Sequence, residues 1–189
     1  MNTEKHVRNV IGAEYVHGAF QDENGGNVRA AYQAISAVNR ELFKRIPLIV
    51  DFSDLDPYAS AKEMREHATA TGRVTIYTGY SGHPFLDEEA NSIGRAVHDV
   101  FAHMVCGCPF TFAGEYNAYL EQRRYYPAWT WDVLFAEIPA QTAAFYYSGG
   151  FTYSQRAFSA PQHWQELCMP LQRDYSANSI IKPEVMSYA

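Results

Sequence analysis

The sequence predicts an α+β fold, a mainly helical single domain with a small sheet. Two observations carry this: short β-branched segments at 48–52 and 73–78, and longer stretches whose apolar residues recur at three- and four-residue steps. A third is the 47% hydrophobic content over 189 residues, enough for one sizeable core.

Residues 1–27 show little periodicity and end in a turn-rich run, Asp22 to Asn27. A helix over 28–45 follows from Val28, Ala31, Ile35, Val38 and Leu42 on one face, and Pro47 ends it. Leu48 to Phe52 reads as a buried strand. Ser60 to His67 reads as a helix with Ser60 as cap and Glu63 as capping-box partner, closed by Gly72. Arg73 to Thr78 alternates as a second strand, and Gly79 to Pro84 is a loop. The spacing predicts a helix over 87–105, with Ile93, Val97, Val100, Phe101 and Met104 as its stripe and Gly107 and Pro109 as its stop. Helices over 115–124 and 130–147 follow, the second kinked or interrupted by Pro139 and ended by Gly149-Gly150. Beyond Phe151 the chain reads as aromatic-rich loops with one short helix near 162–169. The domain spans 1–170, and 171–189 forms a C-terminal arm.

The net charge of -6, with Arg123-Arg124 as the densest basic stretch, argues against nucleic acid as the main partner. Three cysteines at 106, 108 and 168 form no disulfide framework, and Cys106-Gly-Cys108 lacks the two-residue spacer of zinc knuckles, so reduced thiols are expected. Charged residues in positions 1–20 do not fit a signal peptide, and no apolar run reaches the ~20 residues of a membrane span, so a cytoplasmic location is expected. Aromatics at 15%, many outside the helical stripes, lead us to expect a homo-oligomer or a binding partner.

The residues that suggest chemistry are His98, Asp99, His103, Glu115 and Glu137. On a helix wheel Asp99 and His103 share a face opposite the aliphatic stripe, with His98 on the flank. Such a face must find partners if covered, because buried ionisable groups are paired or bind metal. The expected ligands are His98, Asp99 and His103, for a divalent Zn, Mn or Fe ion. Glu115 and Glu137 are the expected catalytic carboxylates, with Gln141 one turn beyond Glu137. His98 and His103 stand five apart, whereas the H-E-x-x-H zincin pattern places its histidines four apart. The alternative is an Asp99–His103 ion pair and a hydrogen-bonded network that only fixes helix packing. Arg95 is expected to pair with Asp99, and His83, in the loop before the helix, to be exposed more readily than to reach the site.

The stretch Arg95 to His103 resembles a group of tailed-phage proteins with an R-A-V-H-D-x-x-x-H motif. A G-E step (here Gly114-Glu115) and an L-F-x-E-x-x-x-Q helix (Leu134 to Gln141) follow it. Asp56-Pro57-Tyr58 and His83-Pro84 are also similar, so the resemblance covers roughly residues 45–160. Ala102 replaces an expected Gly, and Pro139 falls inside the Glu-to-Gln helix. The resemblance implies a phage origin, with self or other phage proteins as partners, and supplies no activity. His67, His98-Asp99 and Asp132 also resemble, more distantly, the His, His-Asp and Asp steps of HD phosphohydrolases. The expected function is a phage-encoded, metal-dependent hydrolase; the alternative is a virion-associated structural or accessory protein.

Overall fold

The computed structural model describes residues 3–80, 82–151 and 155–181. Its elements in chain order are α1 (Thr3–His17), α2 (Gly26–Phe43), β1 (Ile49–Ser53), α3 (Ala61–Thr71), β2 (Arg73–Tyr77), α4 (Glu88–His98), α5 (Phe112–Gln122), α6 (Trp131–Phe135), α7 (Gln141–Ser148) and α8 (Gln162–Cys168). The mainly helical α+β domain expected from the sequence is the one observed. Among the described residues, no helix is long and apolar enough to cross a membrane.

The two strands pair in parallel, Ile49 opposite Arg73 through Ser53 opposite Tyr77. Parallel neighbours need a crossover, and α3 provides it. Ser60 starts that helix, its Oγ accepting the Glu63 N–H at 3.2 Å, while Glu63 Oε2 accepts the Ala59 N–H at 2.9 Å. Gly72, at φ 67°, ends it in the left-handed conformation. The Asp87 carboxylate caps α4 and the Thr111 hydroxyl caps α5 in the same way.

Helix α1 was not expected. Its buried side chains Val7, Ile11 and Tyr15 recur every four positions, but Val10, Ala13 and Val16 lie off that line, so no single apolar face stands out in the sequence. The helix is held by tertiary packing against α7, where Gly12 lets the backbones approach.

Among the described residues, two helices contain π-turns. Asp99–Met104 continues α4, with the Val105 N–H reaching back five residues to the Val100 carbonyl at 3.0 Å. Ala136–Ala140 joins α6 to α7 and contains Pro139. The expected interruption at Pro139 is thus a widened turn: proline has no N–H to return and its ring crowds the preceding turn, yet the helix resumes at Gln141.

Much of the aromatic content is core. Trp164, Tyr15, Tyr32, Tyr119, Phe101 and Phe158 are fully buried, whereas Trp129 and Tyr147 are exposed. The buried polar tips are satisfied internally: Trp164 Nε1 donates to Glu14 Oε2 at 2.5 Å, and Tyr32 Oη donates to Glu137 Oε2 at 2.8 Å. The stretch expected to begin an arm packs onto the domain as far as residue 181. Leu171 and Ile181 are buried, and the Ile180 N–H donates to the Met104 carbonyl at 3.1 Å. Residues 182–189, and Tyr153 among the aromatics, lie outside the described residues.

The cysteine expectation is corrected. Cys106 and Cys108 are paired as a disulfide, because Gly107 at φ 75° turns the backbone so that the flanking side chains meet. Cys168 is free, and burial pushes its thiol up to about 12.

Arg156 ties the loop after α1 to the segment before α8. Its guanidinium donates to both Glu23 oxygens, at 2.7 and 2.5 Å, and to the carbonyls of Tyr15 and Gly18. These hydrogen bonds hold the Glu23 carboxyl below its ordinary range, against a smaller opposing effect of burial. A lowered folded-state pKa contributes stability above the ordinary carboxylate range and loses it as pH falls through the lowered value. In acid titrations of unfolding free energy, Arg156→Ala should therefore cost most near neutrality and progressively less toward low pH. Gly12→Val tests the α1–α7 contact. A Cβ there would lie 2.5 Å from the Ala143 carbonyl oxygen, so denaturant unfolding should show a loss of about 1–3 kcal/mol.

Candidate metal centre

The π-turn after α4 decides the geometry. In a regular helix, five residues turn the chain by about 500°, leaving His98 and His103 about 140° apart. A turn closed from residue i to i+5 places His103 over His98. Their Nε2 atoms lie 3.0 Å apart. Asp99 is not among the groups that could share one ion, although the charges of His98 and His103 act on its buried carboxyl. A constant α-helical period does not hold through this segment, so His98 and His103 meet although they stand five apart.

Each imidazole has its other nitrogen committed. His103 Nδ1 lies 2.9 Å from the Cys108 carbonyl, which can only accept, so Nδ1 carries the proton. His98 Nδ1 lies 2.8 Å from Gln122 Oε1, also an acceptor. The Gln122 amide donates in turn to Tyr126 Oη at 3.1 Å, and Tyr126 donates to Asn39 on α2. Both rings are thus oriented from behind, with Nε2 facing a common point, as second-shell partners orient metal-ligating histidines.

Glu115, in the first turn of α5, completes the group. Its Oε2 is 3.0 Å from His98 Nε2, and its Oε1 is 3.3 Å from His103 Nε2. His98, His103 and Glu115 are placed to hold a metal ion. Zinc bonds of about 2.0–2.2 Å in tetrahedral geometry imply ligand-to-ligand distances near 3.3 Å, close to all three observed edges. Burial opposes charge on His98, but the hydrogen bond and charge of Glu115 outweigh it and raise its pKa. Burial likewise opposes ionisation of Glu115, and His103 and His98 together hold its carboxyl well below the ordinary range. A proton shared within this trio takes the place that a cation would fill.

The expected ligand set of His98, Asp99 and His103 is therefore changed at one member. Glu115, expected as a catalytic base, joins the histidines, and Asp99 stands outside the trio. Asp99 lines a cavity of about 370 Å³ together with His98, Glu115 and Glu137. Its carboxyl is raised by burial, an effect partly offset by the charges of His98, His103 and Arg95. Glu137, from the second π-turn, accepts the Tyr32 hydroxyl, and His83 Nε2 faces it at 3.5 Å.

The His83 side chain is fully buried, contrary to the expectation of exposure. Its Nδ1 accepts the N–H groups of Phe85 and Leu86, so its proton sits on Nε2, toward Glu137. Arg95 does not make the expected close pair with Asp99. It donates to the carbonyls of Tyr77, Gly79 and Tyr80, stitching the loop after β2 to α4. The HD-type constellation is not assembled: His67 packs by Tyr58, and Asp132 accepts from Gln165, with neither in the His98 group.

Sequence reasoning missed Gln122 and the Cys108 carbonyl. Gln122 had a signal, since it follows Glu115 by seven residues and so returns to the same face of α5. A backbone carbonyl has none. No family model matches the chain, and no curated protein or solved structure matches it.

Metal uptake by this trio should depend on pH. With the His98 pKa raised, the metal-free site carries a proton at pH 7 that a divalent ion must displace. Zinc titrations by calorimetry in buffers of different ionisation enthalpy should show about one proton released, with affinity rising about tenfold per pH unit below the raised pKa. His103→Ala should abolish stoichiometric uptake; unchanged uptake would place the ion elsewhere.

Proposed function

We propose that this protein is a metal-dependent hydrolase. The observation that carries the reading is the set of three ligands, two imidazoles of fixed tautomer and one glutamate, with His98 and Glu115 on the wall of a cavity. Structural zinc sites use four protein ligands, whereas catalytic ones use three and keep a position for water or substrate. Two nitrogens and a carboxylate suit zinc, with Mn and Fe as the other divalent candidates. A bound divalent ion would lower the pKa of a water and polarise the group attacked.

The chain's own groups then have distinct tasks. Asp99, lining the cavity and free of the trio, takes the proton of the attacking water and returns it to the leaving group. Glu137 lies on the same wall, held by Tyr32, and accepts a substrate hydrogen bond. Gln122 and the Cys108 carbonyl hold the imidazoles in register. The resemblance over residues 45–160 supports a phage-encoded protein, with other phage proteins or a second copy of the chain as partners.

The alternative, in which the cluster only fixes helix packing, makes opposite predictions. Asp99→Asn should retain one metal per chain by elemental analysis, yet lose about 10²–10⁴-fold in turnover of whichever member of a mixed amide, carboxyl-ester and phosphoester pool the unaltered protein hydrolyses, followed by mass spectrometry. A purified protein that takes up no metal, and whose His103→Ala variant is merely less stable, defeats the hydrolase reading.

A further inference from the structure

The segment that carries His103 runs directly into the Cys106–Cys108 disulfide, which bridges Gly107. The Cys108 carbonyl accepts the His103 Nδ1–H at 2.9 Å, and such a contact fixes the tautomer and direction of a ligating imidazole. Arg65 NH1 reaches the same carbonyl at 3.4 Å, a long hydrogen bond, and the His103 carbonyl at 3.2 Å. The bridge is therefore a covalent tie on the peptide group that orients a ligand.

The sulfurs sit in a close-packed place. Cys108 packs with Ala102 of the π-turn and Ala118 of α5, all three buried, and Ala118 follows Glu115 by one helical turn. The bridge thus lies between the turn that carries His103 and the helix that carries Glu115. A Cβ at Gly107 would lie 2.4 Å from the Tyr175 carbonyl oxygen, so the turn is closely covered on that side. Two thiols need van der Waals spacing where two bonded sulfurs stood, and a close-packed interior yields that space by shifting its neighbours. The bridge is also within reach. Cys106 is half-buried, and both cysteines line a cavity of about 420 Å³ with Glu121, Arg173 and Tyr175. Among the described residues, none lines both this cavity and the one at the metal trio, so a reductant arriving here does not compete with substrate.

We propose that Cys106–Cys108 is a redox-modification site that sets the metal affinity of His98, His103 and Glu115, the bridged form binding the ion more tightly than the dithiol form. This regulation rests on the metal reading above and does not depend on the reaction catalysed. The reductant is a dithiol, either a small molecule or a protein's cysteine pair. One of its sulfurs bonds to Cys106 Sγ, the S–S bond breaks, and Cys108 Sγ leaves with the electron pair and takes a proton. The second sulfur of the reductant then bonds to its first and releases Cys106 Sγ, which takes another proton. Two electrons and two protons pass to the chain, and the reductant ends as a disulfide.

The test measures zinc affinity of the full chain, with free zinc set by a chelator buffer, in the oxidised form and after reduction by dithiothreitol that is then removed under argon. Reduction should weaken binding at least about tenfold, the usual effect of losing a second-shell partner. Linkage requires the reciprocal effect: saturating zinc should lower the midpoint potential of the cysteine pair by about 30 mV for each tenfold, read in glutathione buffers. Cys106→Ser should bind zinc as weakly as the reduced chain under either condition; if that variant does not fold, the comparison of the two forms of the unaltered chain decides alone. Equal affinity in the two forms overturns the inference and leaves the metal site standing. Tighter binding or a second zinc after reduction, which would mean that the thiols themselves ligate, also overturns it, as does a pair that glutathione disulfide does not oxidise. No stoichiometric zinc in either form overturns the inference together with the metal reading.

Discussion

Two imidazole nitrogens face each other at 3.0 Å with a glutamate carboxylate against both. Neutral imidazoles with both Nδ1 atoms protonated would set two lone pairs head to head in a buried site. That arrangement is tolerable only with a positive charge between them, a proton or a metal ion. Much of the surrounding structure serves to hold it. Gln122 and the Cys108 carbonyl fix the ring tautomers, Tyr126 and Asn39 fix Gln122, and Arg65 NH1 donates to the carbonyls of His103 and Cys108.

The π-turns connect this constraint to the fold. A regular helix through 99–104 would separate the histidines, so the turn that costs the helix an ordinary hydrogen-bonding pattern is the one that builds the site. The second π-turn, around Pro139, carries Glu137 at the same cavity. Irregular backbone is therefore found where ligating and acidic side chains converge. The regular helices α1, α2 and α5 supply the rigid walls, and Ala136, Ala140, Ala143 and Ala144 are all fully buried where they pack.

The Cys106–Cys108 pair belongs to the same corner. The disulfide spans Gly107, and the Cys108 carbonyl is the acceptor that orients His103. The Ile180 N–H closes over this region by bonding to the Met104 carbonyl. The chain beyond α8 thus buttresses the segment that positions one of the ligands.

From the sequence alone, the α+β class, both strands, the Ser60 cap, the Gly72 stop and the site helix with its apolar stripe were readable, because local periodicity and capping chemistry determine them. The participation of His98, His103 and Glu115 was readable too, since buried imidazole and carboxylate groups on facing helices need one another. Helix α1 was not, because its apolar residues mark no single face and its place is set by packing, mainly against α7. Nor was the assignment of roles among His98, Asp99 and Glu115. A wheel with a constant period placed His98 on the flank, and only the tertiary structure inserted the π-turn that brings its Nε2 to 3.0 Å from that of His103. The choice between an α- and a π-turn rests on packing from neighbouring helices and on a backbone carbonyl five residues away. Neither leaves a trace in the order of side chains.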